Sequence, residues 1–91
     1  MSDKEFFYKE VTLQAAYEKA DFGFDSTSVL LIMDGTGDLV FSWSGTSGSI
    51  DGVVKAADIF LAMDDLSKSH IFVKGTNPGD VARLFAWRRS G

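Results

Sequence analysis

Apolar and polar positions alternate with a period of two over much of this chain, in short segments separated by glycine. The stretch Ser28–Ser44 sets the pattern. Val29–Met33 is apolar throughout and predicts a strand buried on both faces or central in a sheet. Asp34-Gly35-Thr36-Gly37-Asp38 follows as a run of turn formers. Leu39, Phe41 and Trp43 then alternate with Val40, Ser42 and Ser44, predicting one buried and one wetter face. Two such runs around a five-residue, glycine-containing loop read as a β-hairpin.

The same reading extends both ways. Residues 1–5 are polar and predict a loose arm, with Phe6-Phe7-Tyr8 just outside the first clear strand. From Val11 to Tyr17, Val11, Leu13, Ala15 and Tyr17 oppose Thr12, Gln14 and Ala16, which predicts a strand with one buried face. A short helix competes there, because Leu13, Ala16, Tyr17 and Ala20 also fit helical spacing. Asp21–Asp25 predicts a short strand with Phe22 and Phe24 on one side, and Ser44–Ser49 a loop of small polar residues. Ile50–Leu66 supports two readings. Val53, Ala57, Phe60 and Leu61 would line one side of a helix with Asp51 as N-cap. The surrounding pattern favours strands instead, Ile50–Lys55 as one and Ile59, Leu61 and Met63 facing inward in the next. Ser69–Gly75 and Val81–Arg88 predict strands around the Thr76–Asp80 turn, a second hairpin mirroring the first. The prediction is an all-β fold: one small antiparallel β-sandwich or jelly-roll-like domain of seven or eight short strands over residues 1–91, with 1–8 available as an N-terminal arm.

Composition narrows the function. Ninety-one residues that are 45% hydrophobic supply one core. Without cysteine and with a single histidine, thiolate and His-rich metal sites are excluded. A net charge of −4 argues against general nucleic-acid binding. All thirteen acids lie at or before Asp80, while Arg83, Arg88 and Arg89 close the chain, so a small basic edge is open beside the plainer reading of solvated arginines. The N-terminus lacks the apolar core of a signal peptide, and no apolar run approaches the roughly 20 residues that span a bilayer. The expectation is a soluble protein made in a cytoplasm, with no membrane partner.

No stretch carries chemistry. Asp34–Asp38 lacks the spaced oxygen ligands and distal glutamate of a calcium loop. Gly45–Ser49 lacks the lysine and helix of a phosphate-binding loop. Asp64 and Asp65, adjacent on an extended chain, point opposite ways. His70 has no nucleophile context and reads as a histidine at a sheet edge. The chain is therefore read as non-enzymatic, with no catalytic residue, cofactor or metal.

What remains is an excess of aromatics. Phe72 shares a parity with His70 and Lys74, opposite Ile71 and Val73. Arg83, Phe85 and Trp87 oppose Ala82, Leu84 and Ala86. Something must cover one face of each strand, either the other sheet or a partner subunit, since Trp, Phe and Arg are enriched at interfaces. Candidate partner-binding residues are Phe6, Phe7, Tyr8, Phe72, Trp87 and Arg88. Three consecutive aromatics cannot all face one core, so Phe6 or Phe7 is expected to anchor a neighbouring subunit, the arm ordering on assembly. The competing reading has all three cap the sandwich. A recognition module that stacks carbohydrate or a host factor on Trp43 and Trp87 is the alternative from another class.

Over residues 28–88, the order of an apolar strand, an Asp-Gly turn, Phe41-Ser42-Trp43-Ser44-Gly45, Ile50-Asp51-Gly52, Ile71-Phe72-Val73-Lys74-Gly75 and Val81-x-x-Leu84-Phe85-Ala86-Trp87 resembles small virion structural proteins of tailed bacteriophages. The resemblance implies a β-sandwich that binds other virion proteins, major capsid or connector subunits, as a capsid decoration (cement) protein or a head–tail or tail component does. It implies a homo-oligomer within the particle, made in the host bacterial cytoplasm and located in the virion, and it carries over no catalytic residue.

Overall fold

The computed structural model describes residues 5–46, 48–55 and 60–88. It contains eight strands: β1 (Glu5–Thr12), β2 (Glu18–Ser26), β3 (Ser28–Asp34), β4 (Leu39–Ser42), β5 (Gly52–Val54), β6 (Phe60–Met63), β7 (Lys68–Gly75) and β8 (Val81–Arg88). They form two antiparallel four-stranded sheets, ordered β1-β8-β3-β6 and β2-β7-β4-β5. Reading the two orders together, β1 answers β2, β8 answers β7, β3 answers β4 and β6 answers β5. This is the eight-stranded jelly roll, a double Greek key. The all-β sandwich expectation holds. No helix occurs among the described residues, so the helical readings of 11–20 and 50–66 fall away.

The core follows the period-two parity. Val29, Leu31 and Met33 of β3, Ile71 and Val73 of β7, and Ala82, Leu84 and Ala86 of β8 point between the sheets and are buried with Val11, Leu13, Phe22, Leu39, Phe41 and Val54. Each large side chain of this set contributes about 1.5–3 kcal/mol by leaving water. Leu61 and Met63 pack against the same cluster, as expected, while Ile59 lies outside the described residues.

Both expected hairpins are corrected. β3 pairs with β8 and β6, and β4 with β7 and β5, so the segment between β3 and β4 crosses from one sheet to the other. The turn between β7 and β8 crosses likewise. The two crossings pack on each other. Asp80 Oδ2 accepts the Gly37 N–H at 2.8 Å, and the Asp38 N–H donates to Thr76 Oγ1 at 2.9 Å. The amide of Asn77 donates to Thr36 Oγ1 at 2.9 Å. A Cβ on Gly37 would sit 2.7 Å from that of Asn77, so this approach requires glycine. Two turn sequences that each look like local punctuation therefore form one tertiary unit.

The N-terminal boundaries also shift. The strand expected over 11–17 instead runs Glu5–Thr12, paired with β8 from Glu5↔Arg88 to Thr12↔Val81. Residues 5–8 are thus part of a sheet rather than an arm, and 1–4 lie outside the described residues. Residues 13–17 cross to the second sheet: Leu13 is buried, but Ala15 is exposed and Tyr17 half-buried. The backbone of this crossing is tied down by Leu13 N–H to Asp80 O at 2.7 Å and Gly75 N–H to Gln14 O at 2.9 Å. Lys9, at the register position of the inward Leu84, is exposed. A charge there marks an edge strand, and it interrupts the alternation that would have revealed β1.

Candidate functional site

The outer face of the β1-β8-β3-β6 sheet is built from rows of register partners. Phe6 pairs with Trp87, Tyr8 with Phe85, and Phe85 in turn with Leu30, which pairs with Ala62; Ile32 pairs with Phe60. Parity dictates the face, since each of these residues alternates with a neighbour that is buried or packs against the core. Phe85 stands between Phe6 and Tyr8, with ring centroids 6.2 and 4.8 Å away. Phe6 is 64% exposed, Tyr8 48% and Phe60 58%. No described segment covers these rows.

Charged side chains lie at the two ends of this face. Arg83 lies across from Glu10 and Ile32, its Nη1 3.1 Å from Asp34 Oδ2 and its Nε 3.5 Å from Glu10 Oε2. The hydrogen bond that Arg83 donates to Asp34, with the negative charges of Asp34 and Glu10, raises the Arg83 pKa and keeps the guanidinium charged. Arg83 is thereby paired in place below the aromatic rows. At the upper end Ser28 donates to Asp64 Oδ1 at 2.6 Å.

The outer face of the β2-β7-β4-β5 sheet is covered. Val40 and Ser42 have outward parity on β4, yet both are buried. The wetter face expected for this strand is dry because the segment after it folds back. Ser42 Oγ accepts the N–H groups of Ser44 and Gly45 at 3.2 and 3.1 Å. Gly45, at φ +70°, lies so close to Phe72 that a Cβ would fall 2.5 Å from its ring. The Tyr17 hydroxyl donates to the Ser49 carbonyl, tying the first crossing onto the same loop. Partial burial, and secondarily the Asp51 carboxylate, raise the Tyr17 pKa above its ordinary 10.0, so the phenol keeps its donated proton.

The six candidate partner residues therefore divide. Phe6, Tyr8 and Trp87 share the open face. Phe7 is corrected: it points inward, its ring 5.1 Å from that of the buried Phe22. Phe72 lies on the opposite, covered face. Arg88 donates from Nε to the Asp25 carbonyl at 3.1 Å at the end of β8. Sequence reasoning missed Leu30, Ile32, Phe60 and Phe85 as members of the open face. For Leu30 and Ile32 the signal was the unbroken apolar run of β3, whose even positions serve the outside, and for Phe85 the parity it shares with Trp87.

The remaining candidates are structural. His70 is not at an edge, because β7 lies between β2 and β4. Its Nε2–H donates to the Trp43 carbonyl at 2.8 Å, leaving Nδ1 to face the Ser69 hydroxyl at 3.3 Å. Trp43 meets Phe41 edge-on at 5.6 Å and packs against the core, so it offers no joint sugar platform with Trp87 on the other sheet. Asp38 lies 3.7 Å from Lys55, and no group of three or more metal-ligating side chains occurs among the described residues. Three lysines lie over rings: Lys74 over Tyr17 at 4.5 Å, Lys68 over Trp43 at 5.4 Å and Lys19 over Phe72 at 5.9 Å. Ala15, Ala16, Tyr17, Gly45 and Lys74 line an open pocket of about 370 Å³.

No protein-family model matches this chain, and no curated protein matches it. Among solved structures, a chain from the work described as "Bacillus endospore appendages form a novel family of disulfide-linked pili" aligns with 96% of this chain and 88% of its own length, at 13% identity and a TM-score of 0.44. The present chain contains no cysteine.

Proposed function

We propose that this chain is a non-enzymatic structural protein of a bacteriophage particle, in the role of a capsid decoration or cement protein. It packs the outer face of the β1-β8-β3-β6 sheet on a neighbouring virion subunit. The observation that carries this reading is the open row of Phe6, Tyr8, Phe85 and Trp87, continued by Leu30, Ile32 and Phe60. A monomer rarely leaves a contiguous aromatic and aliphatic surface of this kind in water, and such surfaces mark protein contacts. The resemblance over residues 28–88 to small virion proteins of tailed phages gives the particle. The same face would serve a head–tail or tail position.

This chain has no thiol, so it can form no disulfide with a neighbour. Burying one exposed phenylalanine contributes about 1.5–3 kcal/mol, roughly ten- to hundredfold in affinity. Mass spectrometry of purified particles tests the reading: the protein should be present, and a Phe6→Ser, Phe60→Ser variant should be depleted from them. Absence of the wild-type chain from particles would end the proposal.

A further inference from the structure

The edges of the two sheets differ. β5 and β6 are short, Gly52–Val54 and Phe60–Met63. β2 is long, but its pairing with β7 shifts register between Asp21 and Ser26, and Gly23 within it has φ +83°. Short strands and bulges are how sheets blunt an edge. β1 has neither device. It pairs with β8 without a shift from Glu5↔Arg88 to Thr12↔Val81. Among the described residues, no strand lies on its other side. Every second residue of a strand directs its N–H and C=O away from a given neighbour, so this edge presents a row of unpaired donors and acceptors. The remaining guard is the charge on Lys9, which is exposed. It opposes a strand that sets a base or a ring across from it and favours one that sets an acid there.

We propose that β1 pairs antiparallel with β1 of a second copy about a two-fold axis at Phe7, joining the two β1-β8-β3-β6 sheets into one. An axis perpendicular to the sheet sets residues of equal parity opposite each other and keeps the open faces of both copies on one side. The segment Glu5-Phe6-Phe7-Tyr8-Lys9 is self-complementary in that register. Glu5 of each copy stands across from Lys9 of the other, Phe6 across from Tyr8, and Phe7 across from Phe7. Opposite charges and paired rings are the cross-strand combinations that stabilise an antiparallel ladder. Neighbouring registers lose this match. With the axis at Phe6, Glu5 meets Phe7; at Tyr8, Phe7 meets Lys9; at Lys9, the two lysines meet. The strand thus carries acid and base at the spacing that another copy of itself requires, and this selects the chain itself over an unrelated strand. Phe6 and Tyr8 are exposed on the outer side of β1, so the pairing extends their aromatic rows across the axis. The inference does not rest on the assembly proposal, which uses the outer face of this sheet and not its edge.

Sedimentation velocity of the full chain at low ionic strength tests it. One short strand a side makes a small interface of the weak class, so the chain is measured up to about 100 μM. The wild type should sediment as a dimer at that concentration and shift towards monomer as salt screens the charge pairs. Lys9→Glu alone, or Glu5→Lys alone, sets like charges across from each other twice by symmetry, and should weaken the dimer about tenfold or more. Mixing these two variants restores opposite charges at both positions, so the mixture should dimerise where neither variant does by itself. A variant that had lost its fold could not give that result. Phe60→Ser, on the open face and away from this edge, should leave the dimer unchanged. A wild type that stays monomeric, a mixture no more dimeric than its two parts, or a dimer lost in Phe60→Ser would overturn the proposal.

Discussion

The two sheets of this sandwich share one core but treat their outer faces in opposite ways. The β2-β7-β4-β5 sheet is roofed by its own chain: Gly45 lies on Phe72, Ser42 holds the turn above it, and Tyr17 fastens the edge. No described segment roofs the β1-β8-β3-β6 sheet, where Phe6, Tyr8 and Phe60 stand exposed. Both faces are rich in aromatics, so aromatic content does not distinguish them. The difference is where chain length is spent. The loop from β4 to β5 returns over its own sheet, whereas the joint from β2 to β3 is a single residue, Thr27. The open face is the one proposed above to pack on a neighbouring subunit.

The comparison can be broken by experiment, and the strand common to core and open face gives the largest effect. Deleting residues 1–8 removes half of β1 together with the Phe7–Phe22 contact. The loss should be about 3 kcal/mol or more, lowering Tm by about 12–24 °C. An unchanged Tm would show that residues 5–8 are an arm after all. Next comes the roof. Gly45→Val forces a side chain onto the Phe72 ring from a left-handed backbone, and should cost about 2–4 kcal/mol in urea unfolding. An unmoved midpoint would mean that the loop does not seat on the sheet.

A smaller effect is expected at the fastening. Tyr17→Phe loses one hydrogen bond, about 0.5–1.5 kcal/mol. Because the folded-state pKa of Tyr17 is raised, its contribution is complete below the ordinary value of 10.0 and is lost as pH rises through the folded value. Unfolding measured from pH 7 to 11 should therefore show an alkaline decline that the phenylalanine variant lacks. A parallel decline in both would remove Tyr17 from the account. Smallest of all is the open face itself: Phe6→Ser and Phe60→Ser should change stability by about 0.5 kcal/mol or less. A much larger loss in the isolated chain would make this surface part of the monomer's own stability rather than an interface.

The sequence was legible where side-chain parity carries the information and illegible where partnership does. The alternation in β7 and β8 grouped Ile71 with Val73, and Ala82 with Leu84 and Ala86, and these groups are the buried sides. It set Phe72 and Trp87 on the opposite sides. The expected hairpins failed because Gly-rich turns of five residues serve equally to reverse a chain within a sheet or to cross between sheets. Only the distant Asp80–Gly37 and Thr76–Asp38 bonds decide between them, and local propensity holds no trace of those. β1 was missed because Lys9 takes an inward register position at an edge. The unbroken run of β3 was read as buried on both faces or central in a sheet; it is central, between β8 and β6, and its even residues, Leu30 and Ile32, are half-exposed on the open face.

The crossing connections bear on how this chain reaches its folded state. Only β4 and β5 are consecutive strands that pair with each other; every other strand finds its partners elsewhere in the sequence. Neither sheet can therefore grow by adding one local hairpin to the next, and the two must close together. The entropy of several long loops is spent before their contacts reward it. Chains of this contact order fold in milliseconds to seconds rather than microseconds. During that interval β1, which pairs with the last strand of the chain, has no partner until β8 exists. A nascent chain holds Phe6-Phe7-Tyr8 unpaired until β8 has been made, and that exposed strand is where kinetic competition from aggregation enters.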